Sequence, residues 1–224
     1  MKHPNPPAWG AIFDWDGVLV DSSRFHELSW EALARESGLP LPAGHFRRGF
    51  GMKNEQIIPD LLAWTQDPAE VGRLSLRKEV LFRELVRRHG IEPLPGVREW
   101  LARLDAAGIP RVIASSTHRE NIATILGLIG LGGFADLVAA EDVRRGKPDP
   151  QVFLEAARRI GVRPECSVVF EDTHAGIAAA RAGGMRVVAV AGTHPAARLG
   201  GADLVVARLD ELTVERLGSW FSRV

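Results

Sequence analysis

Ala11-Ile-Phe13-Asp14-Trp15-Asp16-Gly17 sets three apolar residues directly before two acids and a glycine. The apolar run has the length of a buried strand, and glycine permits the sharp exit that takes a chain off a sheet. The same arrangement returns later. Arg111-Val-Ile-Ala114 runs into Ser115-Ser116-Thr117, and Ser167-Val-Val-Phe170 runs into Glu171-Asp172. Leu137-Val-Ala139, Arg186-Val-Val-Ala-Val190 and Leu204-Val-Val206 are further apolar runs of strand length. Helical patterns lie between them. Val97, Trp100, Leu101 and Leu104 share a face before Gly108, and Phe153, Ala156, Ala157 and Ile160 share one before Gly161. Ile177, Ala180 and Arg181 precede Gly183-Gly184 in a small-residue helix suited to close packing on a sheet. Strands alternating with helices predict parallel βαβ units, and so an α/β fold with a Rossmann-like parallel sheet.

Residues 21–92 break the alternation, with amphipathic helical patterns and almost no β-branched run. They are expected to form an inserted helical cap, leaving residues 1–20 and 93–224 as the core. One cap helix is predicted near Phe25 to Glu36, ending at Ser37-Gly38. Another is predicted near Ala69 to His89, carrying Leu74, Leu81 and Leu85. Pro93-Leu-Pro95-Gly96 is a stiff, turn-prone return suited to a hinge. Arg73, Arg77, Lys78, Arg83, Arg87 and Arg88 alternate with Glu79 and Glu84, the pattern of a solvated helix surface rather than of an anion-binding face.

The 224 residues suffice for one large domain or a core with a smaller insert. Hydrophobic residues at 46% and charged residues at 25% predict a globular, not a disordered, chain. Lysine plus arginine equal aspartate plus glutamate at 28 each, so no net field draws the chain to nucleic acid or to an anionic membrane. Cys166 has no second cysteine to pair with, which excludes an intrachain disulfide and any multi-cysteine metal site; it reads as a small, partly buried apolar residue. Met1 to Gly10 is proline-rich without a signal-like apolar stretch, and nowhere do about 18 apolar residues run uninterrupted. The expectation is a cytoplasmic protein, a monomer or weak homodimer, with no nucleic-acid or membrane partner.

In an open parallel sheet, ligands bind beyond the carboxyl ends of the strands, where Asp14, Asp16, Ser115, Glu171 and Asp172 fall. Gly146-Lys147-Pro148-Asp149-Pro150 opens a helix after the third strand. The four acids would crowd negative charge into one crevice and require a cation. Magnesium suits an all-oxygen set, whereas the soft ligands of zinc are missing. A carboxylate beside magnesium and a bound phosphate can attack phosphorus in line, and Asp14 is placed for that. Asp16, two residues on, can protonate the leaving oxygen and then deprotonate the hydrolytic water. Ser115 and Lys147 would supply donors and positive charge to the phosphoryl oxygens.

Taken together, Phe-Asp14-Trp-Asp16-Gly-Val-Leu-Val-Asp21-Ser22, Val-Ile-Ala-Ser115-Ser116, Gly-Lys147-Pro-Asp-Pro and Val-Val-Phe-Glu171-Asp172-Thr-His-Ala-Gly176-Ile resemble, in that order, the four motifs of the haloacid dehalogenase superfamily. The resemblance spans nearly the whole chain. It implies that Asp14 and Asp172 ligate magnesium, that Asp16 adds its backbone carbonyl, and that Glu171 is a nearby or water-mediated partner. It also implies that the helical insert is the family's mobile cap.

An acid at position 16 is generally absent from members that cleave carbon–halogen or carbon–phosphorus bonds. Hydrolysis of a small phosphorylated metabolite therefore leads, with β-phosphoglucomutase-like transfer as runner-up and a silent phosphometabolite-binding module as a third reading. His26 and Trp30 are similar to positions of β-phosphoglucomutase-like enzymes, where the histidine couples cap closure to the acid–base aspartate. His26 can equally be a helix residue packed at the hinge. In Gly49-Phe50-Gly51-Met52-Lys53-Asn54, Met52 stands where a mutase has an arginine for its second phosphate, with Lys53 adjacent. A missing clamp favours hydrolysis. The glycines would allow close approach to substrate, and Met52, Lys53 and Asn54 would set specificity. The Gly51-Met52-Lys53-Asn54 loop also resembles that of phosphatases acting on a phosphorylated pyrimidine intermediate of flavin synthesis, with sugar phosphates and phosphoglycolate equally open as substrates. Ser116, Thr117 and Arg119 lie at the mouth as candidate substrate contacts, Arg119 alternatively capping its helix. His118, His174 and His194 lack metal-ligand spacing, and Glu141-Asp142 reads as loop surface.

Overall fold

A computed structural model describes residues 9–49 and 52–221. It divides into two compact units, Met1–Asp21 with Glu92–Val224 and Ser22–Ile91. Gly51 lies outside the described residues.

The larger unit is built on six parallel strands. They are β1 (Gly10–Phe13), β2 (Arg111–Ala114), β3 (Asp136–Val138), β4 (Ser167–Glu171), β5 (Arg186–Val190) and β6 (Leu204–Val206), in the order β3-β2-β1-β4-β5-β6. Parallel strands need crossovers with an apolar stripe, and the predicted stripes supply them. Nine α-helices run through the described chain. In the smaller unit lie α1 (Ser23–Ser37), α2 (His45–Gly49), α3 (Asn54–Gln56) and α4 (Pro68–His89). In the larger lie α5 (Val97–Ala106), α6 (Arg119–Ile129), α7 (Gln151–Arg159), α8 (His174–Ala182) and α9 (Val214–Gly218). The core gathers Ile12, Val112, Val169 and Val187 from the strands with Val152, Phe153, Ala156, Ala157 and Ile177 from α7 and α8. Small residues in α8, Ala179 and Ala180, are fully buried and bring its backbone close to the sheet.

Strand order reverses beside β1: the chain goes from β1 to β2 and β3 on one side, then returns to β4 on the other. Phe13 pairs with Ile113 and with Phe170, so the residues leaving β1, β2 and β4 emerge side by side. That reversal opens a crevice at the carboxyl ends, the standard ligand position of such sheets. The return segment is tied to the larger unit, Pro93 bridging to Val20 and the Leu94 amide donating to the Leu19 carbonyl at 2.9 Å.

In the smaller unit α1 packs on α4 around Trp30, Leu33, Ile58, Leu74 and Leu81. Gly38, in the left-handed conformation, ends α1, and Asp67 caps α4 by accepting from the Ala69 amide. A π-turn at Ile57–Leu61 was not anticipated; it surrounds Pro59, which has no N–H for the usual helical bond. The α4 surface also needs correction. Arg73 and Glu84 are exposed as expected, but the Lys78 and Glu79 side chains are only 3% and 7% exposed. Lys78 lies four residues after Leu74 and three before Leu81, inside the apolar stripe, so helical spacing overrides its charge. Burial is tolerable because Lys78 Nζ sits 3.1 Å from Glu79 Oε1, 2.6 Å from His26 Nδ1 and over the Trp30 and Phe82 rings.

Replacing Phe153, fully buried beneath the sheet, by alanine is expected to cost about 3–5 kcal/mol. Urea unfolding followed by circular dichroism checks this, and a loss below about 1 kcal/mol would contradict the packing of α7 on the sheet.

Candidate active site

Asp14 is the first residue beyond β1. Its amide donates to the Phe170 carbonyl at 2.9 Å, which holds it at the crevice between β1 and β4. Asp14 is 7% exposed, and its Oδ1 lies 2.9 Å from Lys147 Nζ. The same ammonium contacts Glu171 Oε1 at 2.8 Å. Glu171 is fully buried at the end of β4, and its Oε2 accepts from the Asp172 and Thr173 amides at 2.7 and 2.8 Å. Thr173 in turn caps α8 by accepting from the Gly176 amide. Glu171 is thus a scaffold, joining Lys147 to the turn that presents Asp172.

Two glycines make room for this cluster. A Cβ on Gly17, whose φ is +77°, would lie 2.0 Å from Asp172 Oδ2, and one on Gly176 would lie 2.0 Å from Glu171 Cδ. Neither overlap is survivable by a small shift, so both positions require the bare backbone.

The electrostatics show the strain of gathering acids in a buried place. Burial raises the Asp14 pKa well above the ordinary carboxylate value, and the neighbouring Glu171 and Asp172 charges add to it against the pull of Lys147. Burial, then the Glu171 charge, pushes Asp172 up to about 7. Burial opposes ionisation of Glu171 too, but the Lys147 charge and the Thr173 amide outweigh it and hold Glu171 below its usual range. Lys147 is likewise opposed by burial, yet Asp14 and Glu171 keep it firmly protonated. Oxygens of Asp14, Glu171 and Asp172 lie within 4.8 Å of one another. Asp172 Oδ1 is buried and has no hydrogen-bond partner. An all-carboxylate set with an orphaned oxygen and raised pKa values fits a hard divalent cation. Asp14 and Asp172 have more free lone pairs for it than Glu171, whose oxygens are engaged by Lys147 and two amides.

Around the cluster, Asp16 Oδ2 accepts from Thr117 Oγ1 at 2.7 Å. Ser115 is buried, its amide bound to the Val138 carbonyl and its Oγ accepting from the Thr117 amide at 3.0 Å. Ser116 is exposed on the same turn. The larger unit therefore brings together Asp14, Asp16, Ser115, Thr117, Lys147, Glu171 and Asp172. Arg119 is engaged elsewhere: its guanidinium donates to Asp142 and to the Leu137 carbonyl. Glu141-Asp142 is accordingly more than loop surface. Glu141 accepts from the Arg119 amide and Asp142 from the Ala139 amide, a brace between α6 and the end of β3.

The remaining candidates belong to the smaller unit. His26 contacts Lys78 and stacks on Phe82 with centroids 4.2 Å apart. Asn54 is buried, its amide donating to Glu79 Oε1 at 2.7 Å and Ser75 Oγ at 3.2 Å. Gly49 is buried at the end of α2, where a Cβ would come within 3.1 Å of Leu61 and 3.2 Å of Ile57; its smallness answers to packing inside the unit. Met52 and Lys53 are exposed. Sequence reasoning missed Thr173, Thr193 and the Lys78–Glu79 pair. Thr193 hydrogen-bonds Asp172 from the loop after β5, a contact with no signal in sequence spacing. Thr173 was legible as the hydroxyl preceding a helix.

A sequence model of the haloacid dehalogenase-like hydrolases matches residues 10–184. Over 209 residues the chain is 44% identical to the chloroplastic 5-amino-6-(5-phospho-D-ribitylamino)uracil phosphatase of Arabidopsis thaliana, covering 92% of this chain but 56% of that protein. The chain thus spans little more than half the length of that relative. It is 34% identical to hexitol phosphatase A of Escherichia coli, covering 92% and 94% of the two chains, and 32% identical to β-phosphoglucomutase of Bacillus subtilis, covering 92% of each.

Asp172 titrating near 7 leads to a prediction with a definite sign. Between its ordinary pKa and 7 the folded, metal-free protein keeps a proton that the unfolded chain has lost, so this group's stabilising contribution is present at low pH and disappears as pH rises through 7. A divalent cation must displace that proton. Its apparent affinity is expected to weaken by at least about tenfold per unit as pH falls below 7, since Asp14, also raised, adds to the protons displaced; calorimetric titration with magnesium or manganese measures this. Asp172→Asn should remove most of the binding at every pH.

Proposed function

The chain belongs to the haloacid dehalogenase-like hydrolases, and we propose that it is a phosphatase hydrolysing a small phosphorylated metabolite through a phospho-aspartate on Asp14. The carrying observation is the buried Asp14–Lys147 contact at the point where strand order reverses, with Asp16 two residues further on.

Magnesium is the proposed cofactor, held by the side chains of Asp14 and Asp172 and the backbone carbonyl of Asp16, with Glu171 close by. When bound, it supplies the positive charge that lets Asp14 ionise among its neighbours and offsets the charge of the phosphate. The residues divide the remaining work. Asp14 attacks phosphorus, and as the ester P–O bond breaks Asp16 transfers its proton to the leaving oxygen. In the second half Asp16, now a carboxylate, removes a proton from the water whose oxygen displaces Asp14 from phosphorus. The sum is ester plus water giving alcohol plus phosphate, with Asp16 restored to its acid form. Lys147 fixes positive charge at the phosphoryl oxygens. Ser115 accepts from the Thr117 amide, leaving its hydroxyl proton to donate to one of those oxygens.

Two relatives act, by their names, on phosphates of a ribityl chain and of hexitols. Both are open polyol chains. We place the same class first for this chain, a phosphate ester on a flexible polyol, with the exposed Ser116 of the core, and separately the exposed Met52 and Lys53 of the helical unit, as the candidate recognition groups. A reducing compartment such as the cytoplasm is the proposed location, with which the single, unpaired Cys166 is compatible.

The second reading is intramolecular transfer, the activity named for the Bacillus relative. A mutase must hold a second phosphate, and of the residues in question the exposed Lys53 alone offers a charge for it. Position 52 is an exposed methionine, and the Arg119 guanidinium is engaged by Asp142 and a carbonyl. With hexose 1-phosphate and a trace of its bisphosphate, phosphate release should outrun isomerisation; the reverse would favour transfer.

Asp14→Asn is expected to keep the circular dichroism spectrum and lose more than about 10³-fold of the magnesium-dependent turnover of a hexitol phosphate. Intact-mass analysis of the wild type during turnover should show a phosphoryl adduct that this variant lacks. A phosphoryl group carried by another residue would overturn the assignment.

A further inference from the structure

Thr117 is anchored from both sides by its own backbone. Its amide donates to Ser115 Oγ at 3.0 Å, and its carbonyl accepts from the Ala140 amide at 3.2 Å. The hydroxyl consequently has a fixed origin, and from it Oγ1 reaches Asp16 Oδ2 at 2.7 Å. Asp16 has left β1 and sits half-buried in the turn that Gly17 closes by donating to the Val20 carbonyl. A carboxyl group at such a place has two side-chain torsions to settle, and proton transfer to a leaving oxygen demands one orientation. A hydroxyl suits this task because it donates to a carboxylate and can turn to accept from a carboxylic acid.

We propose that Thr117 is a positioning residue for Asp16, orienting its carboxyl group toward the leaving oxygen, rather than a group that binds substrate. This rests on the reading of Asp16 as the acid–base group. The atoms involved are few: the Asp16 proton passes to the ester oxygen as the P–O bond breaks, and Thr117 exchanges no proton with substrate. The demand on Asp16 depends on what leaves. A nitrophenolate departs without protonation, whereas the alkoxide of a polyol does not.

The test compares kcat/KM for p-nitrophenyl phosphate and a hexitol phosphate in wild type, Thr117→Val and Thr117→Ser. This parameter ends at departure of the leaving group, so the water step common to both substrates does not enter it. Thr117→Val is expected to lower kcat/KM for the hexitol phosphate about 10- to 100-fold, a fraction of the acid–base contribution. For p-nitrophenyl phosphate the loss should stay within about threefold, and Thr117→Ser should restore most of the difference. Both substrates are read on one preparation, so partial misfolding cancels from their ratio. Equal losses on the two substrates, or no loss on either, would overturn the proposal. Full retention of hexitol phosphate turnover by Asp16→Asn would instead remove the acid–base reading of Asp16 beneath it, so the two failures are separable.

Discussion

One ammonium group shared by two buried carboxylates is the constraint from which the rest of the site follows. Lys147 lies 2.9 Å from Asp14 and 2.8 Å from Glu171, with its side chain only 9% exposed. Charges so placed are costly unless paired and hydrogen-bonded. Glu171 meets that condition through two backbone amides and the lysine. Asp14 and Asp172 do not meet it, and their raised pKa values express the deficit. Three acids share one ammonium, so the ionised cluster lacks two positive charges, which is the state that draws a divalent cation. The carboxylates differ here in the number of donors each has been given.

The backbone around the cluster is subordinate to it. Gly17 and Gly176 are bare because Asp172 and Glu171 lie where side chains would be. The α8 N-terminus is capped by Thr173, whose amide and hydroxyl also hold Glu171, so helix start and site geometry are a single feature. The brace of Arg119 on Asp142 and the Leu137 carbonyl steadies the neighbouring turn from the side of β3. It also commits that guanidinium to the brace.

The helical unit has a buried charge of its own. Lys78 is surrounded by His26, Glu79 and two aromatic faces, and Glu79 in turn holds Asn54 at the start of α3. Asn54 follows directly on Met52 and Lys53, so this network fixes the base of an exposed loop whose side chains remain open to solvent. A buried polar network of this kind specifies one arrangement more sharply than apolar packing would. Asn54 thereby acts on the loop from inside the unit.

Much of this was present in the linear order of residues. Apolar runs of strand length, helical stripes and the polar residues that end each strand are local patterns, and local patterns survive in a single sequence. Asp14, Asp16, Ser115, Lys147, Glu171 and Asp172 were legible for that reason, as was the interruption between the first two strands. The burial of Lys78 was legible too, had its place in the apolar stripe been weighed above its charge. Tertiary structure alone decided what depends on register between distant segments: that Thr117 faces Asp16 across 101 positions, that Thr193 reaches Asp172, and that Arg119 turns to Asp142. Strand order and pairing register set those distances, and neither is encoded in spacing along the chain.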